Sequence, residues 1–126
     1  MKELIFTLLL LTGINMWAQD CNKFTTGIFE HETHGLGMLI VERTATHEYM
    51  YTENKVFEIH STIEWVSPCK YILTCEKIIN PDLDLQDMVG TKEYVEITEA
   101  DEEGYTSRTT DSEGNIQTLR LTIRTD

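Results

Sequence analysis

The side chains that could do chemistry here are few enough to weigh one by one. His31 and His34, flanked by Glu30 and Glu32, are metal-ligand types. On a strand, however, positions three apart point to opposite faces, and the zinc-protease pattern of two histidines four apart on a helix is absent. His47 and Glu48 would add ligands only if the fold happened to bring them alongside. Asp82, Asp84 and Asp87 imitate the start of a calcium loop, which wants alternating oxygen ligands, a glycine at the sixth position and a glutamate at the twelfth. The twelfth position is Glu93, but the sixth is Asp87 and the glycine is missing. Neither a metal nor another cofactor is expected.

Nucleophilic catalysis needs a base beside the nucleophile. The chain has no Gly-x-Ser-x-Gly elbow and no histidine placed by sequence next to a cysteine. In so acidic a protein no one carboxylate pair stands out for acid–base work. No catalytic residue is assigned, and an enzyme is not expected.

The basic side chains are more informative because they are scarce. Arg43, Arg108, Arg120 and Arg124 all fall in stretches that read as strands. There they can pair with carboxylates across a sheet. The alternative is an arginine at a barrel mouth that receives the carboxylate of an amphipathic ligand. Arg43, Arg108 and Arg120 are the candidates for that role.

Three cysteines, Cys21, Cys69 and Cys75, leave one unpaired if a single intramolecular bridge forms. Cys69 and Cys75 lie on one predicted strand, roughly 20 Å apart at about 3.3 Å per residue, beyond disulfide reach. Cys21 therefore pairs with Cys69 or Cys75. Cys69 is preferred because it follows Ser67-Pro68 at a strand entrance, where a terminal segment can lie alongside. Cys75 is then the free thiol, and the bridge is read as a staple, since there is no Cys-x-x-Cys pair.

The wider composition restricts partners and compartment. With 22 acidic against 10 basic residues in 126, the formal charge is −12. That repels nucleic acid and anionic membrane surfaces, and no basic run offsets it locally. Residues 1–18 carry Lys2 and then a mostly apolar run from Leu4 to Ile14, as a secretory signal peptide does. The run is shorter than the roughly 20 residues of a spanning helix. Cleavage is expected after Ala18, giving a secreted or periplasmic domain over residues 19–126. Asp20 directly before Cys21 argues against lipid anchoring at that cysteine.

From Lys23 onward the hydrophobic period is two. It is clearest over 56–65, where Phe57, Ile59, Ile63 and Trp65 oppose Glu58, His60, Thr62 and Glu64. Weaker alternation marks 24–30, 37–43, 47–52, 70–79, 91–99, 105–111 and 116–124. The connections are short and rich in Gly, Asn, Asp and Pro, so consecutive strands must be antiparallel neighbours. One short helix is expected near 81–89, opened by Asn80-Pro81 and closed by Gly90, with Leu83 and Met88 against the sheet. The fold class is all-β: an antiparallel meander of about eight strands, forming a closed or partly open barrel. The aromatic residues beyond the signal peptide suffice to fill a small barrel, so an empty interior is not required.

Cys21, Phe24, Thr26-Gly27 and Phe29, with Arg43, Ile63-Glu64-Trp65, Cys69, Tyr71 and Leu73, resemble a family of small exported Bacteroidota β-proteins. The shared pattern is Cys-x-x-Phe-x-Thr-Gly-x-Phe followed by Trp-x-x-x-Cys-x-Tyr. The resemblance implies a Cys21–Cys69 bridge with Cys75 as the odd thiol, and little chemistry, because the family is uncharacterised. Its members often carry a DNA topoisomerase label, which a short, acidic, exported domain does not support. A fainter resemblance is to calycins, the lipocalin-type barrels. It implies that Gly27-Ile28-Phe29 stands for their first-strand Gly-x-Trp and Arg120 for the basic residue packed over it. The function expected from all this is a noncatalytic binding or interaction module of the cell envelope. The alternative is a lipocalin-like carrier of a small amphipathic molecule.

Overall fold

In the computed structural model, residues 20–80 and 85–125 are described. Among them run β1 (Gly27–Glu32), β2 (Met38–Arg43), β3 (His47–Thr52), β4 (Glu58–Ser67), β5 (Lys70–Ile79), β6 (Lys92–Ala100), β7 (Gly104–Asp111) and β8 (Ile116–Ile123). Each strand pairs antiparallel with the next, and β8 returns to β1, so the sheet closes into an up-and-down barrel. The expected eight-stranded meander is therefore present in its closed form, which leaves no long edge unpaired.

The period of two selects the inner face. Val41 stands opposite Phe29 on β1 and Met50 on β3, Tyr71 opposite Trp65 and Val95, and Tyr105 opposite Leu121. Shifts of register at His60/Ser61, Trp65/Ser67 and Ile97/Glu99 bend the longer strands around the barrel. At the tip of the Asp101–Gly104 turn, a Cβ on Gly104 would run into the backbone of Leu121 and Thr122. Glycine is needed there because two strands approach closely.

Closure is thinnest between β1 and β8, which share two register pairs against nine between β4 and β5. Side chains take over where the ladder stops. His31 Nδ1 donates to the Arg120 carbonyl at 3.0 Å, and Thr122 Oγ1 donates to the Glu30 carbonyl at 3.3 Å.

A 3₁₀ turn at Asn22–Phe24 covers one end of the barrel. Phe24 is fully buried there, 4.8 Å from the Tyr105 ring and 6.2 Å from Phe29. Cys21 is bonded to Cys69 in the β4–β5 turn, with 5.3 Å between their Cα atoms. Cys75 is buried and unpaired.

Of the short helix expected near 81–89, only the part from residue 85 onward lies among the described residues. Residues 81–84, Leu83 included, lie outside the described residues, and the chain beyond them makes a single 3₁₀ turn at Gln86–Met88 with Met88 exposed. Thr91 Oγ1 bonds back to the Met88 carbonyl at 2.6 Å as the chain turns into β6. The segment proposed as the signal peptide also lies outside the described residues. No described helix is long and apolar enough to cross a membrane, and the disulfide fits an oxidising compartment.

The bridge closes a 48-residue separation and anchors the covering turn. Cys21→Ser and Cys69→Ser should each cost about 2–5 kcal/mol in denaturant unfolding, and Cys75→Ser, which breaks no cross-link, clearly less. Equal losses at all three positions would contradict the pairing.

Candidate functional site

The β2–β3 turn is so tight that Arg43 and Glu48 face each other across the ladder, with Thr44 N bonded to the His47 carbonyl at 2.9 Å. Both point into the covered end of the barrel and both are buried. Glu48 Oε1 accepts from Arg43 Nη2 at 2.6 Å and from Nε at 3.1 Å. Nη1 donates to the Phe24 carbonyl at 2.9 Å, while Nη2 also reaches the Tyr105 hydroxyl at 2.8 Å and the Tyr71 hydroxyl at 3.2 Å. The guanidinium lies over the Phe29 and Tyr71 rings, 4.8 and 4.9 Å from their centroids. Burial alone would lower the Arg43 pKa, but Tyr71, Glu48 and Tyr105 together raise it above the ordinary arginine value. Burial pushes both tyrosine hydroxyls up, so they stay neutral donors and acceptors. This end is a closed floor with a neutral ion pair at its centre.

Above the floor the barrel is not filled. A cavity of about 520 Å³ has apolar walls from Val41, Met50, Leu73, Val95, Leu119 and Leu121. Its polar lining comes from Glu48 at the floor and from His31, Glu93, Ser107, Thr109 and Gln117. Glu93, Thr109 and Gln117 also border a second space of about 400 Å³ beside Asp87, Lys92 and Glu113, which forms the mouth at the far end from the disulfide. The aromatic supply leaves the cavity open because it is unevenly placed. Phe24, Phe29, Trp65, Tyr71 and Tyr105 gather at the floor, whereas Tyr51 bonds Glu42, and Tyr94 is exposed, both on the outer surface.

Glu93 is the unusual group in this cavity. Its carboxylate has no hydrogen-bond or ion-pair partner among the described residues. Burial raises its pKa first, and the nearby charges of Glu48 and Asp111 raise it further. His31 must carry its proton on Nδ1 to donate to the Arg120 carbonyl, so the neutral ring keeps Nε2 as an acceptor.

The arginines singled out in the sequence are not gathered into one site. Arg43 lies in the floor, with its donors engaged by Glu48, Phe24 and the tyrosines. Arg120 lies on the outer surface, where Nη2 meets both oxygens of Asp101 at 2.9 Å. Arg124 lies between Glu30 at 3.9 Å and Glu53 at 3.5 Å. Arg108 is exposed, beside Tyr94 and Glu96. The cation packed over Phe29 is Arg43 from β2, and Arg120 lies elsewhere, on Asp101.

Glu93 and Glu48 were visible in the sequence by parity, since each shares its alternation with inner residues, Val95 and Ile97 or Met50. Weighing them only as metal ligands hid that. No group of three or more histidine, cysteine or acidic side chains converges among the described residues. Comparison with protein-family models, curated proteins and solved structures finds no match.

Two measurements check this geometry. Arg43→Ala leaves Glu48 buried without its cation and should cost about 3–5 kcal/mol in urea unfolding. The Arg43→Ala, Glu48→Ala double variant should lose less than the sum of the two single changes, and strict additivity would show that the pair is not coupled. For Glu93, a folded-state pKa above the unfolded one means that stability falls as pH rises through the folded value. Glu93→Gln should therefore melt above the parent at neutral pH, and the difference should close as pH drops below the ordinary glutamate range, about 4.3.

Proposed function

We propose that the mature protein is an exported, noncatalytic binding domain that carries a small amphipathic molecule inside its barrel. The observation behind this reading is the cavity of about 520 Å³, closed below by the Arg43–Glu48 floor and open at the opposite end. Its size falls within the range of small-molecule sites, and it combines apolar walls with a few polar groups, as such sites do. A ligand carboxylate held by an arginine is not part of the reading, because Arg43 is buried and paired with Glu48, and Arg108 and Arg120 lie outside. Export follows from the signal-peptide pattern of residues 1–18 and agrees with the Cys21–Cys69 bridge.

A second reading, an interaction module that docks a protein of the cell envelope, has one observation in its favour. On the outer surface Val66 and Tyr94, 55% and 49% exposed, border a groove of about 280 Å³ with Lys70, Ile72 and Arg108.

Native mass spectrometry of the protein from its own periplasm or medium separates the two. Under the carrier reading the wild type brings a discrete extra mass that leaves on denaturation. Leu119→Trp, which fills the cavity, should arrive bare, with the disulfide intact and an unchanged circular-dichroism spectrum. A bare wild type that co-purifies with a protein partner lost on Tyr94→Ala would favour the outer groove instead.

A further inference from the structure

We infer that the cavity selects an organic monocation, an ammonium or amidinium head on an apolar body, and that Glu93 is the residue that pairs with the head. This rests on the carrier reading and adds the sign of charge that the carrier accepts. Among the residues bordering the cavity there is no lysine or arginine, whereas Glu48 and Glu93 both border it. Their situations differ. Glu48 is neutralised through Oε1 by the buried Arg43, which leaves the floor without net charge. The charges that act on Glu93 are like charges, Glu48 on β3 and Asp111 opposite it on β7.

Asp111 does not relieve Glu93, because its oxygens accept from the Glu113 and Asn115 amides of its own turn, at 2.9 Å each, and from the Asn115 side chain. Lys92, the neighbouring residue in the chain, borders the mouth but donates its ammonium to Thr74 Oγ1 at 3.1 Å and makes no ion pair with Glu93. The cavity thus holds one uncompensated carboxylate above an apolar chamber. His31 adds an acceptor in its neutral form. A cationic head restores charge balance and supplies the donor that Glu93 lacks, while its body replaces water against Val95, Leu119 and Leu121. A carboxylate ligand would add to the existing repulsion.

The test uses three probes with one alkyl chain, octylamine, octanol and octanoate, titrated calorimetrically into the mature, disulfide-bonded protein at neutral pH. Octylamine should bind about tenfold or more tighter than octanol, and octanoate weakest. Glu93→Gln should bring the three within a few fold of one another. Equal binding of all three by the wild type, or a preference for octanoate, would overturn the charge selection and leave the carrier reading standing. An octylamine preference that survives Glu93→Gln would remove Glu93 from the role. No binding of any probe, together with a native mass spectrum free of ligand, would end the carrier reading and this inference with it.

Discussion

The structure depends on keeping one buried guanidinium charged. Moving an arginine out of water costs several kcal/mol unless every donor is met, and Arg43 is met from four directions: Glu48, the Phe24 carbonyl, and the hydroxyls of Tyr71 and Tyr105. Those partners come from β3, from the covering N-terminal turn, from β5 and from β7. A single side chain therefore ties distant strands and the terminal segment to one point. The disulfide acts on the same assembly, because Cys21 holds the turn whose Phe24 carbonyl accepts from Arg43 and whose ring packs on Tyr105.

This concentration at one end shapes the other. Aromatic side chains recruited to surround Arg43 cannot also fill the upper barrel, where the inner face carries Leu, Val, Met, Thr and Ser. Branched and small side chains on eight strands do not meet across the axis, and a chamber results. The floor gathers the large aromatic side chains, and the chamber above it combines aliphatic walls with a few polar groups, of which the Glu93 carboxylate is left without a partner among the described residues.

How much of this could be read from the sequence depends on which interactions are local. The strands, their order and their antiparallel pairing were legible because alternation and turn chemistry are properties of neighbours in the chain. The Cys21–Cys69 pairing was legible from spacing and strand position. The depth of Arg43 was not, because alternation gives the face a residue occupies and says nothing of which end of the barrel is covered. Arg120 and Arg124 fit the reading of arginines paired to carboxylates, though their partners Asp101, Glu30 and Glu53 become known only once the barrel closes. Asn80-Pro81 and Gly90 are local signals for a short helix, and residues 81–84 of that segment lie outside the described residues. In the described part, the chain spends Gln86–Met88 on one tight turn into β6.

The closed floor and the open chamber set opposite demands on charge, and Arg43 and Glu93 meet them differently. Arg43 is stable because the protein itself supplies its counter-ion and a partner at each guanidinium nitrogen, which leaves its charge compensated without a ligand. Glu93 is incomplete, and burial and its acidic neighbours raise the free energy of its charged form. A protein selected only for stability would exchange such a group for glutamine or leucine at little structural cost, since no described residue depends on it for a hydrogen bond. Stability is least well served where a binding group must stay ready for something outside the chain. In this barrel that place is the rim between Glu93 and the apolar walls beneath it.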